Sequence, residues 1–296
     1  MTNDSLPTPG ALTTDELKLI SDAAQYLENP SLLMQLAGLV GKPLQLVLSG
    51  IDKIAPDRLH KAVNTALGSA LSVAVYTLPA KSSAEALVAG NINDVGAMTS
   101  FWHKVSVAMT GTTSGLFGIG GLAVELPITT TIMFRSIAAI AQEFGEDLQD
   151  PAIRLQCLAV FYLGGSGQQN DSMDSTYMAA RLGLQESFAH AARVVAGVTA
   201  EELTTMIEKG TAPAVVNFIG RIAARFEVTV SQKIFAQAIP MLGAATGATI
   251  NVAFMGHFNR VARFHFGIRS LERKYGADFT QALYKAEVAR IKDKRL

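Results

Sequence analysis

A single cysteine, Cys157, in 296 residues rules out an internal disulfide framework and is compatible with a reducing cytosol. It sits in the apolar stretch 153–161, where a core residue is expected and no neighbour offers to activate a thiol. Charge is scarce too: Asp, Glu, Lys and Arg make up 17% of the chain, against roughly 25% in an average soluble protein. Acids and bases balance at 25 each, so the chain offers no excess positive charge to nucleic acid. Phosphate loops of the Gly-x4-Gly-Lys-Ser/Thr kind, His-Glu-x-x-His, Gly-x-Ser-x-Gly and Ser-x-x-Lys are all missing. Gly118, Gly120 and Ala123 match half of a dinucleotide fingerprint, but no strand precedes them, and helix packing explains them better. The five histidines complete no ligand set with Cys or carboxylates, so neither a metal nor a cofactor is expected. Residues 1–10 are polar, carry Pro7 and Pro9, and have neither a basic nor an apolar leader region, so no signal peptide is expected.

What is present is long uncharged sequence. Hydrophobic residues reach 49% and the mean hydropathy is +0.26. Nineteen residues between Lys61 and Lys81 carry no charge, as do twenty between Lys104 and Glu125 and twenty-six between Lys233 and Arg260. Each run is long enough to cross a bilayer as a helix. Their filling of Ala, Gly, Ser and Thr makes insertion less favourable than for a Leu-rich span. Small residues at Gly111/Gly115 and Gly243/Gly247 instead let helices approach closely. Two readings stay open: tightly packed core helices, or hairpins inserted in a membrane.

Helical punctuation recurs along the chain. Thr13 with Glu16, and Thr199 with Glu202, form capping-box patterns, and Asp150-Pro151 marks another helix start. A helix is expected from about Thr176 to Val195, and others over 213–225, along the third uncharged run, and through Val261, Phe264, Ile268, Leu271 and Tyr275. After Pro127 a helix runs to Gly145. No strand alternation persists, so the fold class is all-α, one domain of about nine to eleven helices.

Polar residues inside apolar surroundings are the informative ones. Glu125 and Arg135 stand ten residues apart in an otherwise uncharged helix, and burial of either unpaired would be costly. They are expected to pair with each other or with another such group. Asn251 lies within the last uncharged run, and His265 between Phe264 and Phe266, where a hydrogen-bonded core histidine is the expectation. His257 and His265 are eight residues apart, too far around a helix for a ligand pair. From His257 onward ten Lys and Arg face four acids. Arg260, Arg263, Arg273, Lys274, Lys292, Lys294 and Arg295 are therefore candidates for contact with an anionic membrane surface.

Residues 125–147 (ELPITTTIMFRSIAAIAQEFGED), 163–165 (LGG) and 177–181 (YMAAR) together resemble the EcsC family of bacterial proteins. So do residues 239–251 (IPMLGAATGATIN), 254–255 (FM) and 262–276 (ARFHFGIRSLERKYG). The resemblance covers roughly 50–280. It implies a helical protein, cytoplasmic or membrane-associated, and brings no family-wide catalytic residues with it. It directs attention to Glu125, Arg135, Asn251, His265, Arg269 and Glu272. The chain divides on this basis into a flexible tail (1–12), a helical extension (13–55), an EcsC-like domain (56–280) and a basic C-terminal helix or tail (281–296).

The expected function is a non-catalytic helical protein at the inner face of the cytoplasmic membrane. It would bind lipid, or an apolar or transmembrane protein partner, in support of membrane transport or an envelope process. A hydrolase built from Glu125, Arg135, His265 and Glu272 is the enzymatic alternative, and a structural module that oligomerises through its Gly faces is the third.

Overall fold

In the computed structural model, residues 12–28, 56–76, 118–165, 176–238 and 247–294 are described, and all regular structure among them is α-helical. The helices are α1 (Thr14–Leu27), α2 (Pro56–Tyr76), α3 (Gly118–Glu143), α4 (Pro151–Leu163) and α5 (Thr176–Val195). They continue as α6 (Ala200–Glu208), α7 (Pro213–Ala238), α8 (Gly247–Tyr275) and α9 (Ala277–Asp293). The tail 1–11, Gly111, Gly115, Gly243 and Arg295 lie outside the described residues.

The start signals act as the sequence predicts. Thr13 and Glu16 exchange backbone and side-chain hydrogen bonds at α1 (2.8 and 3.2 Å), and Thr199 and Glu202 do so at α6. Asp150 accepts from the Ala152 amide at 2.8 Å, with Pro151 in the first turn of α4. Each box satisfies amides that the first helical turn leaves without partners. Gly276, at φ +90°, turns the chain from α8 into α9, a conformation that side chains with a Cβ rarely adopt.

Two boundaries differ from expectation. α3 starts at Gly118 and carries Pro127 within it. Proline costs one backbone hydrogen bond there, and the Thr129 hydroxyl bonds the carbonyls of Glu125 and Leu126 beside it. The third uncharged run is not one helix. Its first residues complete α7, which runs unbroken from Pro213, and its last belong to α8, with residues 239–246 outside the described part. No helix among the described residues is long and apolar enough to cross a membrane.

The short helix α4 lies at the centre, touching α2, α3, α5, α7 and α8. Seven of its thirteen residues are buried, Cys157 completely. Phe161 stacks against Phe226 of α7 and Phe258 of α8, with ring centroids 4.9 and 5.3 Å apart. Phe254 joins both of these rings. Offset and edge contacts of this kind add to the stabilisation from burial alone. Around α4, α8 is the hub: it packs on α1, α3, α4, α7 and α9. The N-terminal helix α1 docks on α8 and α9 as part of this body.

Candidate functional site

The second half of α8 carries three of the six polar residues singled out in the sequence, His265, Arg269 and Glu272. His265 is 2% exposed, and it approaches the Tyr177 hydroxyl at Nδ1 (2.9 Å) and the Gln156 Oε1 at Nε2 (3.3 Å). The amide oxygen can only accept, so Nε2 carries the proton and Nδ1 accepts from tyrosine. Burial holds His265 well below the ordinary imidazole range, and the nearby Arg181 and Arg269 charges push the same way. Burial also raises the Tyr177 hydroxyl to about 12. Two turns along the same helix, Glu272 takes a bidentate pair from Arg181 of α5 (2.8 and 3.0 Å) and a bond from Gln281 of α9 (3.3 Å).

Gln156, Arg181, His265 and Gln281 border a half-open cleft of about 410 Å³ between α4, α5, α8 and α9. The volume is at the lower end of the range of roughly 300–1,000 Å³ for small-molecule sites. Gln156, Arg181, His265, Gln281 and Lys285 line its polar part; Leu163, Met178, Leu184 and Phe188 are among its apolar residues.

Arg269 serves a different site. It pairs with Glu146, which follows α3, at 2.7 Å, and Arg273 joins the same carboxylate. Burial pushes the Glu146 carboxyl up, but the two guanidiniums outweigh it and hold the group below its ordinary value. One helical turn before Val261, His257 repeats the arrangement of His265. Its Nε2 donates to the Gly164 carbonyl (2.7 Å), and its Nδ1 accepts from Tyr26 of α1 (2.8 Å). Burial lowers this imidazole to about 4.

Glu125 does not pair with Arg135. Ten residues of helix separate the two by about 15 Å, and Glu125 instead pairs with Lys233 of α7 at 2.9 Å. The Lys233 side chain is 3% exposed and stands 5.2 Å above the Phe254 ring. Arg135 is half-buried in the middle of α3, and Asn251 half-buried in the early turns of α8. Thus of the four residues assigned to a hydrolase, His265 and Glu272 share one face of α8, while Glu125 is engaged with α7. The buried thiol of Cys157 is pushed up by desolvation. Neither an activated nucleophile nor a proton-transfer pair poised near neutral pH emerges from these placements.

The basic C-terminal region also reads differently in three dimensions. Arg263 pairs with Glu143, Arg273 with Glu146 and Lys274 with Glu16, and Arg260 lies 4.9 Å over the Tyr26 ring. Much of the charge that looked like a membrane face therefore ties α8 to its neighbours. Lys285, Lys292 and Lys294 remain exposed on α9 and its C-cap. The sequence reading missed Glu146, Tyr177, Arg181 and Lys233 as site residues. Glu146 and Arg181 stand in the family-like blocks, and an acid or base inside such a block was the available signal.

A model of the EcsC protein family matches residues 31–271, and the chain belongs to that family. No curated protein and no solved structure matches it.

Proposed function

We propose that this EcsC-family chain is a non-catalytic helical protein of the inner face of the cytoplasmic membrane that binds lipid or another apolar partner there, in support of a membrane transport or envelope process. The observation that carries this reading is the cleft between α4, α5, α8 and α9, in which apolar side chains of α4 and α5 stand beside Gln156, Arg181 and Gln185, and Gln281 and Lys285 of α9 complete the lining. Its polar groups are engaged with one another: Arg181 with Glu272, and His265 with Tyr177 and Gln156. Such an arrangement orients a ligand without transferring protons to it.

The attachment we propose is peripheral, since no described helix has the length and apolarity to span a bilayer. Lys285 lines the cleft, and Lys292 follows two turns later on α9, so the exposed bases and the cleft adjoin. A Lys near an anionic surface contributes about 1 kcal/mol. The test is co-sedimentation with vesicles containing phosphatidylglycerol. Binding at low salt that is released by high salt is expected. Recovery in the supernatant at every salt concentration would overturn membrane attachment.

A further inference from the structure

The cleft is polar at one end and apolar at the other, and that gradient specifies a ligand class. Arg181, Gln281 and Lys285 converge at the end where α5 begins and α9 passes: Gln281 bonds the same Glu272 carboxylate that holds Arg181, and Lys285 is one turn further along α9. Tyr177 and Tyr284, the residues just before Met178 and Lys285, fix this meeting of the two helices with ring centroids 5.4 Å apart. No Asp or Glu lines the cleft, whereas two cations do. The bidentate pair with Glu272 uses two of the five N–H donors of Arg181. An anion entering at this end would meet the exposed Lys285 ammonium and the Arg181 guanidinium, whose charge Glu272 already balances, so that Lys285 supplies the excess positive charge.

Towards the other end Leu163, Leu184, Phe188 and Ala189 offer mainly hydrocarbon, and the polar Gln185 carries no charge. From Met178 to Ala189 the lined face of α5 runs about 16 Å at 1.5 Å per residue. At about 410 Å³ the cleft is at the lower end of small-molecule sites, a size that suits one hydrocarbon chain along this face better than a bulkier two-chain lipid. We infer that the cleft binds a single-chain carboxylate amphiphile, a fatty acid anion, with its carboxylate at Arg181, Gln281 and Lys285 and its chain laid along Leu163, Leu184 and Phe188. This deepens the proposed function by naming its ligand and rests on the cleft, not on the membrane attachment.

Calorimetric titration of the full chain with octanoate, decanoate, dodecanoate and tetradecanoate, each below its micellar concentration, tests it. Saturable binding at one site is expected, tightening about fourfold per methylene until the cleft is filled and then levelling off. Dodecanol, which has the same chain and no charge, should bind about three- to tenfold more weakly than dodecanoate. Lys285→Glu, an exposed substitution on α9, should abolish that difference. Ala189→Trp, an exposed position at the apolar end, should make the levelling-off occur at a shorter chain. Absence of saturable binding at every length, equal binding of alcohol and carboxylate, or a chain-length profile unaltered by Ala189→Trp would each overturn the assignment. Lysophosphatidylglycerol binding more tightly than the matched carboxylate would also overturn it, by placing a phosphate rather than a carboxylate at Lys285. The titration contains no vesicles, so failure of membrane attachment and failure of the ligand assignment are read separately.

Discussion

Lowering the pH from 7 to 5 should destabilise the fold through two histidines on one helix. His257 sits neutral between the Gly164 carbonyl and the Tyr26 hydroxyl, and burial lowers its pKa from 6.5 to about 4. The Arg260 charge pushes in the same direction. Above pH 6.5 the imidazole is neutral in both folded and unfolded chains, so the full stability is present. Below pH 6.5 the unfolded chain takes up a proton that the folded chain does not, and stability falls until the folded state also protonates near pH 4. The whole interval amounts to about 3 kcal/mol, of which about 2 kcal/mol is lost between pH 7 and 5. His265, lowered by burial and faced by Arg181 and Arg269, adds to the loss over the same window. Carboxylates stabilised by ion pairs, such as Glu146 and Glu16, contribute at lower pH, as their unfolded counterparts protonate near 4.5. Thermal melts followed by circular dichroism in matched ionic strength should show the midpoint dropping by at least about 4 °C from pH 7 to 5. His257→Gln, which cannot titrate, should lower the midpoint at pH 7 and make its pH dependence shallower. A midpoint flat between pH 7 and 5, or a slope untouched by that substitution, would refute the burial of neutral imidazoles as the cause.

Four substitutions at three places probe the packing. A Cβ on Gly165 would lie 2.9 Å from the backbone carbonyl oxygen of Arg225, which cannot swing aside, so α4 and α7 must part; Gly165→Ala should cost about 1–3 kcal/mol in urea unfolding. Glu125→Ala leaves the Lys233 ammonium buried without its carboxylate and should cost about 2–3 kcal/mol, whereas Lys233→Met, which removes the buried charge itself, should be within about 1 kcal/mol of neutral. Equal losses in the two would show that burial of the lysine charge does not govern the pair. Asn259 is wholly buried, and neither amide atom has a hydrogen-bond partner among the described residues. Asn259→Leu should therefore raise stability by about 1–2 kcal/mol, with a shift in urea midpoint at unchanged slope.

Local rules made the helix starts legible and left the site partners hidden, for a physical reason. A capping box is completed within four residues, so Thr13, Asp150 and Thr199 announce α1, α4 and α6 in the sequence itself. Absence of charge carried less information. The run 234–259 looks uniform in composition, yet it belongs to two helices, because what ends a helix is backbone geometry and packing, not the disappearance of charge. The site residues show the same limit from the other side. An apolar setting made Glu125 and His265 conspicuous in the sequence, since each needs a partner there, and the family resemblance pointed to Glu272. Their partners are Lys233, Tyr177 and Arg181, which lie between 88 and 108 positions away along the chain. Spacing along one helix cannot reveal contacts of that range. Nor could the count of bases after His257 distinguish a membrane face from the ion pairs that fasten α8 to α1 and α3. Charge becomes available to a partner only where the fold supplies no acid beside it. On α9 that criterion singles out Lys285, exposed at the rim of a cleft lined by no carboxylate, over the more numerous basic residues of α8.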